Sequence, residues 1–382
     1  MSNTLTNLIG DAYTALDVVS RELVGIIPSV TRDATADRAA LNQNVRSFKT
    51  AANTVGKDIT AAMAFPAAAY QTVGNENITL TKARAFPFSW TAEEQYAVNQ
   101  GAGTLSVAQD QIAQAIRAAV NEMENDLADA AALGASGGIT PNASTLFSAT
   151  LKDMAFAKKF LDDRGAPMSE RYAVLNTTAS AAMRGLTQLT NVGDAGDQGL
   201  LRQGVLGNLM GFAVRESAQI GLTATATGAS YLVDEVAGYP VGTTVIHVDT
   251  GTGSIPTGSV VTIGGNNYMV TTGTAGSGDQ DITIAAPGLV KAIANNDPVT
   301  VLSAQDANLF FSRNAVVLAT RLPEVPIGGN DLAILREVVT DPRSGISFEL
   351  AVYPGYRMVH YEIGAVWGVK VIKPEHIGLM LD

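Results

Sequence analysis

The chain has 382 residues, 46% hydrophobic and only 16% charged, with no cysteine and a formal net charge of −11. That length suggests two or three domains, or one large domain carrying an insertion, and the apolar share excludes disorder as the main state. The acidity and the absence of any basic run exclude a general nucleic-acid binder, and the missing thiols exclude disulfides, Cys-ligated zinc and thiol nucleophiles.

Met1–Tyr13 has neither a cationic region nor an apolar core, so no secretory signal is read there and synthesis is expected in the cytosol. Leu5, Leu8, Ile9, Ala12, Leu16 and Val19 recur at helical spacing, which predicts a helix over Leu5–Leu23 ended by Pro28. The polar stretch that follows, with Arg32, Arg38, Arg46 and Lys49, reads as an arm without a core of its own. Ala61–Tyr70 is the most apolar run, and at ten residues it is too short to span a bilayer.

Ile78, Leu80, Lys82, Arg84, Phe86 and Phe88 alternate with smaller residues after a Gly74-Asn75-Glu76-Asn77 turn signal, which predicts a long β-hairpin between Ile59 and Trp90. A long hairpin with mixed faces cannot bury itself, and its edges need cover from another chain. Thr104–Leu133 is the strongest helix pattern. Ile112, Ile116, Val120, Met123 and Leu127 form its apolar stripe, Ser106 and Gln109 suggest a capping box, and Asp110, Gln114, Arg117, Asn121 and Glu124 form its polar face.

Helices over Ala143–Asp163 and Thr178–Leu189 and strands at Tyr172–Leu175 and Phe212–Arg215 suggest an α/β region. From Gln219 to Ser303 the composition changes. One base, Lys291, stands against six acids, and 11 glycines fall in the 51 residues from Gly238 to Gly288. Short β runs at Thr244–Val248, Val260–Ile263, Tyr268–Thr271 and Ile282–Ile284 make this a small all-β insertion. Strands over Asn308–Thr320, Phe348–Val352 and Arg357–Val371, then a short terminal strand, return the chain to α/β.

No catalytic, cofactor or metal site emerges. Gly134-Ala135-Ser136-Gly137-Gly138 matches G-x-S-x-G, but a nucleophile elbow needs a strand leading in, and here a helix does. His247, His360 and His376 lack metal-ligand spacing and read as partly buried structural residues. The Asp194/Asp197 loop and Asp279-Gln280-Asp281 read as solvated loops without the density of a calcium site.

Three segments carry a resemblance. Gly204-Val205-Leu206-Gly207-Asn208-Leu209-Met210-Gly211-Phe212-Ala213-Val214-Arg215-Glu216-Ser217 resembles the G-x-x-G-x-x-x-G-F-x-V-x-x-S segment of tailed-phage major capsid proteins. Asn308–Val316 is similar to the aromatic strand of that family, and Ala365–Glu375 resembles its closing strand, with Trp367-Gly368-Val369 and Lys373-Pro374-Glu375. The order of elements resembles the Hong Kong 97-type capsid fold, and the insertion resembles that of the short-tailed Salmonella-phage coat branch.

The resemblance implies an α+β capsid fold divided into an N-terminal arm (1–50), an E-loop (51–100), a peripheral domain with the spine helix (101–142) and a first axial segment (143–218). The β-rich insertion (219–304), a second axial segment (305–352) and C-terminal peripheral strands (353–382) complete it. It implies a homo-oligomer: pentamers and hexamers forming an icosahedral head around double-stranded DNA without sequence-specific binding. Scaffolding, portal and decoration proteins are the expected partners, and a virion location after assembly in the host cytoplasm is expected, with no membrane and no cofactor. An encapsulin-type compartment is the alternative on the same fold. On the E-loop, Phe65, Tyr70, Phe86, Phe88 and Trp90 are the candidate intersubunit anchors, because aromatics dominate interface hot spots. Asp11, Asp17 and Glu22 are the candidate contacts to a basic scaffolding protein.

Overall fold

The computed structural model describes residues 24–50, 73–99, 104–141, 145–190, 206–326, 331–341 and 344–382. A helix of 30 residues, Thr104–Leu133, organises them. At 1.5 Å per residue it is about 45 Å long. Ala119, Val120, Met123, Leu127, Ala128 and Ala131 form its buried stripe, with Ile112 and Ile116 half-buried beyond. The helix begins at Thr104, so Ser106 lies inside it rather than at its cap. Glu124 also departs from the sequence reading, because it is wholly buried. The chain at Gly25–Ile27 crosses that face, and its N–H groups satisfy the carboxylate.

The helix packs on a six-stranded sheet ordered Thr31–Ala39, Val316–Pro323, Met358–Val371, Ser347–Gly355 and Leu335–Thr340, with Lys82–Thr91 also paired to Met358–Val371. Thr31–Ala39 runs parallel to its neighbour; the other pairs are antiparallel. Thr31–Ala39 was expected in a polar arm. Its arginines are instead tied into the fold, Arg32 donating to Ser344 O and Arg38 pairing with the buried carboxylate of Glu349, and Asp33 accepts from Arg321 at 3.1 Å. Trp367 is buried under the helix and donates to Asp126 at 2.8 Å, and the other oxygen of Asp126 takes Lys82 at 2.7 Å.

The predicted hairpin is built differently. Val73–Thr79 is a strand, turn-like Gly74–Asn77 included, and pairs antiparallel with Asn44–Thr50 from Thr50↔Val73 to Asn44↔Thr79. Lys82–Thr91 belongs to the main sheet instead. The chain bends between them at Leu80, which is buried and exchanges backbone hydrogen bonds with Asn42 and Gln43. Cross-strand pairing here overrides local turn composition.

A second layer has its own core around Met154, Leu161, Met183, Phe212 and Phe310. Its strands run Gly138–Ile139, Ile377–Leu381, Ala307–Ser312, Arg171–Leu175 and Phe212–Glu216, ending on Asn208–Leu209. The expected strand over Asn308–Thr320 is two strands. A 3₁₀ turn at Arg313–Ala315 lets the first half join this layer and the second half join the main sheet. The first expected helix starts later, at Lys152, because Phe147 adopts φ 56° and Asp153 caps its N–H at 3.0 Å. The second is two helices, Thr177–Arg184 and Thr187–Thr190, separated at Gly185.

The insertion is a closed barrel. Val260–Ile263, Pro298–Val301, Tyr231–Val233, Val245–Asp249, Gln280–Ile284 and Asn266–Thr272 pair in that order, and the last returns to the first. Closure leaves these strands without a free edge. Ile246, Val248, Val261, Ile263, Val270, Ile282 and Ile284 fill the interior. The hydroxyl of the buried Tyr231 donates to Gly253 O and accepts from Gln280 Nε2, both at 2.7 Å. Gly264 and Gly265, at φ 57° and 81°, form the two-residue turn joining Ile263 to its partner Asn266, a geometry that favours glycine. At the neck, Thr223 N bonds Gln305 O at 2.8 Å and Ala307 N bonds Gly221 O at 3.1 Å, so the two connecting strands lie side by side.

Candidate functional site

Ser136 is buried and its hydroxyl donates to Ile377 O at 3.1 Å, so the G-x-S-x-G motif closes a packed turn. A side chain on Gly137 would collide with the carbonyl of Asn267, which explains a glycine there. Among the described residues no group of three or more His, Asp or Glu has metal-holding geometry, and no helix is long and apolar enough to cross a membrane. His376 is buried, and burial lowers its pKa.

His247 is partly buried, as its sequence reading has it, but Gln280 and Asp281 stand in the strand Gln280–Ile284 rather than in a solvated loop. His247 lies on the outside of the barrel, with Nδ1 2.6 Å from Asp281, Nε2 2.6 Å from Asp279 and Asp234 at 3.9 Å. The hydrogen bond to Asp281 raises its pKa above the ordinary value; burial opposes this, and the charges of Asp279, Asp281 and Asp234 add to the rise. The sequence hid the cluster because His247 and Asp281 are cross-strand partners 34 residues apart.

Phe86, Phe88 and Trp90 sit on one face of Lys82–Thr91 and are half-buried on their own chain. Phe86 packs on the main core, Phe88 stacks on Tyr361 with ring centroids 5.0 Å apart, and Trp90 donates to Gln111 at 2.6 Å. The same strand is anchored to the long helix by Lys82 and by Arg84, which meets Glu122 at 3.0 Å. The hydrogen bond to Asp126 raises the Lys82 pKa despite partial burial. Phe65, Tyr70, Asp11, Asp17 and Glu22 lie outside the described residues.

Two elements have surfaces that the described residues do not cover. The ribbon Asn44–Thr50/Val73–Thr79 is a two-stranded sheet by itself. Among the described residues its root is packed, where Ile78, Leu80 and the half-buried Val45 meet Val317, Ala319, Val366 and Ile372. Leu335–Thr340 ends the main sheet, and Leu332, Ile334, Leu335 and Val338 are exposed along it. The strand reading missed this edge. Its signal, Leu335, Val338 and Val339 in a short run, does not alternate cleanly.

No family model matches the sequence, and no curated protein matches it. Solved structures do. A chain of Mycobacterium phage Che8 aligns over 99% of this chain and 98% of its own, with 15% identity and a TM-score of 0.53. A chain in the capsid structure of the cyanophage P-SCSP1u aligns over 99% and 92%, with 12% identity and a TM-score of 0.50. The long helix on its sheet, the projecting ribbon and the layer carrying the inserted barrel therefore make up the Hong Kong 97-type fold of tailed-phage major capsid proteins, an α+β architecture with an all-β insertion.

Proposed function

We propose that this chain is a major capsid protein that self-assembles as pentamers and hexamers into an icosahedral head around double-stranded DNA. The observation that carries the reading is the end-to-end likeness to a chain of a phage capsid structure, which extends over 99% of this chain. The uncovered ribbon supports it, since a two-stranded sheet is marginal alone and gains stability when a neighbour pairs with it or packs on it. Each contact can be weak, about −8 kcal/mol for a micromolar pair, because closure multiplies contacts per subunit.

In this reading Phe65 and Tyr70, in the segment between the ribbon strands, are the first anchors for a neighbour. Phe86, Phe88 and Trp90, half-buried on the main sheet, are the further anchors, through the faces that the described residues leave exposed. Asp11, Asp17 and Glu22 meet a basic scaffolding protein, and portal and decoration proteins complete the particle, which forms in the host cytoplasm. Thr50 and Val73 are register partners, so residues 51–72 can be replaced by an Asn-Gly turn without disturbing the ribbon. The shortened chain is expected to stay folded and to form no shells by electron microscopy, and normal shells would refute the anchor role.

The decisive measurement for the function itself is the mass of the assembled particle. Megadalton particles support the shell; a species of tens of kilodaltons at assembly concentrations removes it. Purified particles that hold an enzyme cargo and no DNA would favour the encapsulin alternative. Charge reversal at Asp11 and Asp17 that leaves scaffold incorporation unchanged would remove the scaffold contact.

A further inference from the structure

Between the helix Lys152–Asp163, the strand Gly138–Ile139 and the barrel lies a cleft of about 690 Å³. That volume falls in the range that holds a ligand of several side chains. Its rim is apolar and open: Phe156, Val241 and Val290 are 43%, 62% and 48% exposed. Exposed large apolar residues facing one another across a cleft mark a contact surface more often than scattered ones do.

The cleft also holds a cation that no carboxylate among the described residues pairs with directly. Arg164, the residue that ends the helix, places its guanidinium carbon 3.4 Å from the ring centre of Phe160. Its Nε is buried and has no hydrogen-bond partner, and Nη1 reaches only Phe160 O, at 3.4 Å. The nearby carboxylate, Asp163, is engaged by Lys159 at 2.5 Å. Burial lowers the Arg164 pKa, and the only ionisable groups opposing this are Tyr268 and Asp163. A guanidinium removed from water without a carboxylate is costly, and a ligand that brings the anion relieves the cost.

The chemistry of the missing partner follows from the count of charges and the walls. One unmatched guanidinium calls for one carboxylate, which its planar fork accepts through two parallel hydrogen bonds. A phosphate carries close to two charges at pH 7 and would leave one unmet. The apolar rim calls for a hydrocarbon side chain beside the carboxylate. We propose that this cleft is a docking site for a segment of a partner protein that presents a carboxylate next to an apolar side chain, with the carboxylate held by Arg164. The proposal goes beyond the shell reading and is testable on the unassembled subunit, so either can fail without the other.

The test is fluorescence anisotropy of the full unassembled chain with a labelled pentapeptide ending in leucine with a free carboxylate. The controls are the same peptide amidated at its C-terminus and unlabelled hydrocinnamate as competitor. Saturable binding by the carboxylate peptide is expected, weakened by about tenfold or more on amidation and in Arg164→Gln, the size of effect a charged hydrogen-bonded pair gives. Val290→Glu, at a half-exposed rim position that tolerates charge, is expected to repel the same peptide and guards against misfolding of the arginine variant. Absence of saturable binding, equal binding of the amide, or indifference to both substitutions overturns the proposal. Hydrocinnamate competing at concentrations below those of the unlabelled peptide makes this a small-acid pocket and overturns it too. So does a loss of self-association in Arg164→Gln without any peptide, which assigns the cleft to a second copy of the chain.

Discussion

Four donors converge on the carboxylate of Glu124: the N–H groups of Gly25, Ile26 and Ile27 at 2.7, 2.6 and 2.8 Å and the Ser217 hydroxyl at 2.9 Å. One side chain on the long helix thus joins the chain leaving the N-terminal segment to the strand that precedes the insertion. Burial raises its pKa, and these hydrogen bonds oppose the shift. Glu124→Ala leaves three backbone N–H groups buried without acceptors, and a loss of about 3 kcal/mol or more is expected in chemical denaturation. The role was illegible in the sequence because helical periodicity assigns a face, not the chain that later crosses it. His247 shows the same limit, since its acidic partners come from other strands. Its folded pKa is raised, so the stability it contributes is fully present below its unfolded pKa and is lost as pH rises through the folded one. An NMR titration of the His247 ring should give a pKa above the ordinary value of about 6.5, and Asp281→Asn should return it toward that value.

At the scale of elements, the parts that read correctly are those whose stability is local or whose burial repeats with one period. The long helix, four of the six barrel strands and the glycine turn at Gly264–Gly265 are of this kind, whereas the short barrel strands Tyr231–Val233 and Pro298–Val301 did not read. The parts that did not read are set by partners far along the chain: the strand at Val73–Thr79, the edge at Leu335–Thr340 and the break at Arg313–Ala315. Turn residues inside a paired strand and a strand that serves two sheets leave no local pattern. The barrel closes on itself, fills its interior with its own residues and is joined at a neck of adjacent strands. Residues 222–306 expressed alone are therefore expected to fold, with a single cooperative thermal transition by circular dichroism and dispersed amide resonances. Tyr231→Phe in that fragment removes the partners of Gln280 Nε2 and Gly253 O. It should cost about 1–3 kcal/mol.

For the whole molecule, a net charge of −11 acts on every encounter between copies. Like-charged subunits repel over the Debye length, about 10 Å at 0.1 M salt and 3 Å at 1 M. If the shell reading holds, the protein concentration at which particles appear in light scattering should fall as sodium chloride rises over that range. Assembly insensitive to salt would mean that short-range apolar contacts outweigh the field of the subunit. The fold itself was legible through three motif segments and the order of elements, whereas identities of 15% and 12% show how little of it depends on particular side chains.

The pairing order of the second layer has a consequence for synthesis. Ile377–Leu381 lies between Ala307–Ser312 and Gly138–Ile139, and Ala307–Ser312 in turn separates it from Arg171–Leu175. Its partners are translated long before it is. While the ribosome is still working through the preceding residues, the layer has an open slot between Gly138–Ile139 and Ala307–Ser312. The barrel, by contrast, has all six strands in hand by Val301. The nascent chain therefore holds every strand of the barrel before the platform can close on its late strand.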